Sequence, residues 1–133
     1  MVLLLDTHIL VWLDQGSELL GNRARRTIEA AYDREEIGVA TVTFWEISRL
    51  IDQERLEFEG VLPDWRVRLL NSGFFEIPLD GAIALVAAGL KQFRGDAVDR
   101  LIVATTLAGE GRLVTADDRL LGHRSVRTIN GMT

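Results

Sequence analysis

Val2–Leu5 is an unbroken apolar run that stops at Asp6. A strand with one solvated face alternates apolar and polar residues. A run without alternation is buried on both faces, as in a parallel sheet covered by helices on each side. This stretch therefore looks like a strand of a parallel sheet. It also places a carboxylate at the carboxyl end of a buried strand, where parallel sheets hold their ligands.

The rest of the chain repeats the alternation of strand and helix. Thr7–Asp14 predicts a short helix closed by Gly16, and Asn22–Asp33 a helix with Ala24, Ile28, Ala31 and Tyr32 at helical spacing. Ile37–Ala40 is a second strand. Thr43 can cap the next helix with Glu46 at its third position, and Phe44, Ile47, Leu50 and Ile51 form its apolar stripe. Pro63–Asn71 is a helix ending near Gly73, and Phe74–Pro78 a third strand. Asp80 can cap a helix over Gly81–Phe93, and Asp96 one over Ala97–Ala108. Arg112–Thr115 is a fourth strand, Asp117–Leu121 a short helical turn, and Ser125–Ile129 a fifth strand. The pattern predicts a central, mostly parallel sheet with helices on both faces.

The length of 133 residues, with no repeat, low-complexity segment or linker, fits one domain over residues 1–133. The absence of cysteine excludes disulfides, thiolate metal sites and cysteine nucleophiles. No apolar run approaches a membrane span. Val2–Leu5 lacks a basic leader and meets Asp6 at once, so the expectation is a cytoplasmic protein without a signal peptide. A net charge of −5 argues against nucleic-acid binding by overall basicity, but not against an acidic centre that binds cations. Lys91 is the sole lysine among 15 basic residues; this arginine excess suits phosphate and equally fits biased genome composition.

Four stretches bring carboxylates towards one end of the expected sheet: Asp6, Glu46, the pair Asp96 and Asp99, and Asp117. Like charges so placed repel unless compensated. Mg²⁺ or Mn²⁺, hard cations that take oxygen ligands, are the natural compensation and can activate water against a phosphodiester. Each acid also has a structural reading. Asp6, Asp96 and Asp117 can cap helices; Glu46 can complete the Thr43 capping box or pair with Arg49; Asp99 can sit on a helix dipole.

Other chemistries lack their residues. His8 and His123 have no partner spaced for zinc, and no G-x-S-x-G, Walker or G-x-G-x-x-G pattern occurs. Trp12, Trp45 and Trp65 read as core or interface side chains. A receiver-like domain would need a late partner lysine, whereas Lys91 lies mid-helix. Asp6-Thr7-His8 lacks the second aspartate of haloacid dehalogenase-type phosphatases.

Leu5-Asp6-Thr7-His8-Ile9-Leu10, Thr43-Phe44-Trp45-Glu46-Ile47, Gly95-Asp96-Ala97-Val98-Asp99-Arg100-Leu101-Ile102-Val103-Ala104-Thr105 and Leu113-Val114-Thr115-Ala116-Asp117 together resemble the PIN-domain family. More narrowly they resemble the VapC toxins of bacterial VapBC toxin–antitoxin systems. The resemblance spans essentially the whole chain, with the motifs in order and at matching spacing. It implies a PIN-like three-layer α/β/α sandwich and a divalent-metal-dependent endoribonuclease using Mg²⁺ or Mn²⁺. It implies an RNA substrate, often transfer RNA or a ribosomal RNA loop, and arrest of translation. The implied partners are a cognate VapB-type antitoxin and a second copy of the chain in a toxin–antitoxin hetero-oligomer, with DNA touched only through the antitoxin.

Residue by residue, Asp6 matches the family's first acid, a direct metal ligand. Glu46 matches the second, binding through water or orienting it; Asp99 and Asp117 match the third and fourth. Asp96 matches an additional acid of the G-D-P-x-D-R subgroup, with Ala97 in place of the usual proline. The implied catalytic set is Asp6, Glu46, Asp99 and Asp117, and the implied metal set adds Asp96. Which of Asp96 and Asp99 stands closer to the metal is left open. Thr115 can add its hydroxyl or simply belong to its strand, and Arg49, Arg100 and Arg119 are rim candidates for phosphate. A catalytically silent PIN-like binding module and a flap-type DNA nuclease are the alternatives.

Overall fold

The computed structural model describes residues 1–133. Its centre is β1 (Leu3–Leu5), flanked by β2 (Ile37–Ala40) and β4 (Arg112–Thr115), with β3 (Phe75–Ile77) and β5 (Arg127–Asn130) at the edges. Every pairing in this five-stranded sheet is parallel. The helices are α1 (Thr7–Gln15), α2 (Asn22–Asp33), α3 (Thr41–Asp52), α4 (Leu62–Asn71), α5 (Gly81–Ala88) and α6 (Ala97–Ala108). No helix is long and apolar enough to cross a membrane.

Successive side chains of a strand point to opposite faces, and β1 separates the layers on that basis. Leu3 and Leu5 pack with Ile9 and Leu10 of α1, Ile28 of α2, Ile47 of α3, and Trp65 and Leu69 of α4. Leu4, between them, packs with Val98, Ile102 and Val103 of α6. Ile83 and Ala87 of α5 meet Ala104 of α6. The three-layer α/β/α sandwich expected from the sequence is therefore present, with β1 buried on both sides.

Some boundaries differ from the sequence expectation. Helix α3 starts at Thr41, directly after β2, with Ala40 as a cap that makes no side-chain bond. Thr43 is consequently buried inside the first turn rather than capping it, and no capping box claims Glu46. Helix α5 stops at Ala88 instead of Phe93. Gly89 weakens continuation, glycine being about 1 kcal/mol poorer than alanine in a helix. The Arg100 guanidinium also donates to the Ala87 and Leu90 carbonyls at 2.9 and 3.3 Å, satisfying acceptors at the helix end. Residues 117–121 form the expected single turn, closed by the Leu120 and Leu121 N–H groups on the Asp117 carbonyl.

Because β1 has a packed layer on each face, truncation of its central residue should leave a cavity that neither layer can fill. Leu4→Ala is expected to lower stability by ~2–5 kcal/mol, read as a reduced urea midpoint at unchanged slope. A loss under ~1 kcal/mol would show that the layer over Leu4 collapses freely.

Candidate metal and active site

From β1 the chain builds outwards through β2 to β3, then returns to β1's other side to lay down β4 and β5. The strand order thus reverses between β1 and β4, and a crevice outside their carboxyl ends is where such sheets bind ligands. Asp6 follows β1 at once, and its N–H donates to the Val114 carbonyl of β4 at 2.9 Å. Its side chain is only 8% exposed. Asp6 Oδ1 accepts from the Thr7 N–H at 2.9 Å, capping α1, and Oδ2 accepts from Thr115 Oγ1 at 2.6 Å. The same Thr115 hydroxyl accepts the Asp117 N–H at 3.1 Å. One threonine at the end of β4 therefore orients both the first and the fourth acid.

Asp96 and Asp99 form a reciprocal capping box on α6. Asp96 Oδ1 accepts the Asp99 N–H at 2.9 Å, and Asp99 Oδ2 accepts the Asp96 N–H at 3.1 Å. Asp99 is buried and Asp96 exposed. Asp99 Oδ2 also accepts from Arg119 Nη2 at 3.1 Å, while that nitrogen lies 2.6 Å from Asp117 Oδ2. Asp99 and Asp117, from separate elements, thus converge on a single cationic nitrogen. Asp99 is the inner member of its pair and Asp96 the outer.

Glu46, half-buried on α3, completes the group from a third direction. It makes no ion pair with Arg49, whose guanidinium lies 4.7 Å from the Trp45 ring centroid. Burial raises the Glu46 pKa, opposed by the Thr7 hydroxyl; the nearby charges of Asp6 and Asp96 raise it further. Burial likewise raises Asp6, against the hydrogen bonds from Thr115 and Thr7. Asp99 is pushed up to about 7, chiefly by burial, with Asp96 and Asp6 adding repulsion. Asp117, held by Arg119, lies below the usual carboxylate range. Acids whose environments separate their pKa values in one crevice are candidates for a functional site.

No three of these acids close on one point at cation-binding distance. Magnesium ordinarily takes one or two carboxylates and keeps several waters, so a closed cage is not its requirement. The donors are hard oxygens, and two of them already meet on one cationic nitrogen. The residues fit a divalent ion. Asp6 and Asp99 are buried, Glu46 and Asp117 half-buried, and Asp96 exposed.

Two neighbours take roles more specific than sequence alone assigns. From sequence, Thr115 is open between adding its hydroxyl and belonging to its strand, and Arg119 is a rim candidate for phosphate; the structure puts the Thr115 hydroxyl on Asp6 and the Arg119 guanidinium on Asp99 and Asp117. Arg100, a rim candidate, is tied to carbonyls and lies over Phe93. His123 accepts the Ser125 N–H away from the acids, whereas His8 lies near enough to Asp6 to favour its ionised form. Of the tryptophans, Trp65 is core and Trp45 is 55% exposed beside Glu46.

The buried acids fix a pH dependence. Asp99 keeps its proton up to about 7 in the folded protein but loses it near its ordinary value of 3.8 when unfolded. Between those values the folded state binds the extra proton, so stability falls as pH rises. In metal-free buffer the Tm should drop between about pH 4.5 and about pH 7.5, and Asp99→Asn should flatten that slope. A Tm that rises through this range would show that Asp99 is ionised throughout.

Comparison with known proteins bears on the family and the fold. Residues 3–124 match the family model described as PIN domain. The chain is 33% identical over 127 residues to Ribonuclease VapC22 of Mycobacterium tuberculosis (strain ATCC 25618 / H37Rv), covering 95% of each. The fold matches a chain of VapBC2 from Rickettsia felis, solved bound to a DNA fragment from its promoter, at TM-score 0.72 and 14% identity over 98% of both chains. It also matches a chain of a toxin–antitoxin complex from Klebsiella pneumoniae at TM-score 0.65 and 21% identity over 96% of both. The chain belongs to the PIN domain family and, within it, to the VapC type.

Proposed function

We propose that this protein is a divalent-metal-dependent endoribonuclease, the toxin of a type II toxin–antitoxin system, which hydrolyses phosphodiester bonds in transfer or ribosomal RNA and inhibits translation. The observation that carries the reading is the convergence of Asp6, Asp99 and Asp117 at the switch point between β1 and β4. The ribonuclease name of its mycobacterial relative supports the substrate class. Mg²⁺ or Mn²⁺, when bound, supplies Lewis-acid activation of water and neutralises charge on the phosphoryl group.

The chain's residues have separable tasks. Asp6, Asp99 and Asp117 would hold the ion, directly or through its waters, with Asp96 at its outer edge. Glu46, with its raised pKa, orients water and accepts its proton. Thr115 is a positioning residue that fixes the Asp6 carboxylate and the Asp117 backbone. A cleft of ≈ 370 Å³ opens beside Asp6 and Asp117, walled by His8, Trp12, Leu19 and Met132, and gives the RNA strand room against the acids.

The related toxin–antitoxin complexes support a cognate antitoxin as partner in an oligomeric assembly; within it the toxin pairs with a second copy of itself and DNA is reached through the antitoxin. Leu85, Val61 and Trp45, at 76%, 58% and 55% exposure, supply apolar surface for such assembly.

Purified protein should cut total RNA into discrete fragments with Mg²⁺ or Mn²⁺ and not with EDTA. Asp6→Asn, which retains an oxygen for the α1 cap, should lose cleavage by at least ~100-fold with an unchanged or higher Tm, since one repelling buried charge is gone. Intact RNA from folded, antitoxin-free protein would overturn the reading, and cleavage of DNA instead would point to a flap-type nuclease. Thr115→Val keeps the shape but removes the hydroxyl; it should reduce metal affinity or activity by ~10–100-fold, as for groups that orient metal ligands. An unaffected Thr115→Val enzyme would show that backbone geometry alone places Asp6.

A further inference from the structure

We propose that Arg119 is the built-in counter-cation of the metal-free centre, and that a divalent ion must displace it to reach Asp99 and Asp117. The inference rests on the metal-dependent reading above. Arg119 Nη2 contacts Asp117 Oδ2 at 2.6 Å and Asp99 Oδ2 at 3.1 Å. Its Nε lies 3.1 and 3.2 Å from the two Asp117 oxygens, and Nη1 reaches the Arg94 carbonyl at 3.4 Å. The guanidinium therefore spans a carboxylate from the loop after β4 and one from α6, using Oδ2 of each, at the place where an ion would draw its ligands.

Two properties make this contact exchangeable. The Arg119 side chain is 45% exposed and its only polar partners are these carboxylates and one carbonyl, so it can swing into solvent. A divalent ion on the same oxygens would stand beside the guanidinium charge with little water between, and like charges at that range repel. The two cations hold the acids in turn. Once displaced, the guanidinium stays tethered two residues from Asp117, at the rim, where its planar fork suits an RNA phosphate. Arg119 therefore releases itself to substrate only after the metal has arrived.

Manganese titrated calorimetrically into the metal-free full chain, as wild type and Arg119→Gln, tests this. The variant should bind Mn²⁺ about tenfold more tightly, within the usual range of coupling between two sites. In EDTA its Tm should fall below wild type, because the acids lose their counter-charge, and Mn²⁺ should raise it by more. Equal or weaker Mn²⁺ binding by a variant shown folded by circular dichroism would overturn the inference and leave the metal reading standing. Binding by neither protein would overturn both. In the wild type, the arginine Nε–H resonance of Arg119 should move on adding Mg²⁺; a resonance that stays in place at saturating Mg²⁺ would also contradict displacement.

Discussion

The hydrogen bond from Thr115 Oγ1 to Asp6 Oδ2 joins positions 109 residues apart in sequence. It exists because β1 and β4 pair in parallel, register Leu5 opposite Val114, and end together. The same hydroxyl accepts the Asp117 N–H, so the first and last of the candidate site acids are indexed to one atom. A buried carboxylate needs such donors, since burial alone disfavours its charged form. Asp6 receives them from the Thr7 backbone and from Thr115, and caps α1 in the same act. Stability and site geometry are thus set by one contact.

Around this point the molecule accumulates charge that its core cannot tolerate unaided. Asp99 is held against α6 by a capping box and buried near Asp6. Glu46 enters from α3 because that helix begins earlier than expected, at Thr41 rather than after Thr43, which leaves no capping role for its carboxylate. Arg119 offsets part of the repulsion at the open side. An acidic protein of net charge −5 can address a polyanion when metal and a rim arginine, rather than overall basicity, supply the attraction.

The layered fold was legible because its signals are local and strong. Val2–Leu5 has no alternation, and the Asn22–Asp33 and Ala97–Ala108 helices match the expectation residue for residue. The boundaries that shifted depended on tertiary partners. Arg100 reaches back to the end of α5, and β2 runs without a loop into α3. The acids could be picked out because each follows a strand or opens a helix. Their ordering into inner Asp99 and outer Asp96 could not, since both satisfy the same capping box and only the packing of α6 decides which is buried. The partners of Thr115 and Arg119 were hidden for a related reason: a strand threonine and a loop arginine acquire meaning only when β4 lies beside β1.

Crystals soaked in Mn²⁺ and measured for anomalous scattering test whether these acids form one cation site at the β1/β4 switch point. A manganese peak ligated by Asp6, Asp99 or Asp117 oxygens is expected, with Arg119 swung away from both Asp99 and Asp117. Manganese bound only elsewhere, or no peak at saturating Mn²⁺ with Arg119 still bridging the two carboxylates, would contradict it.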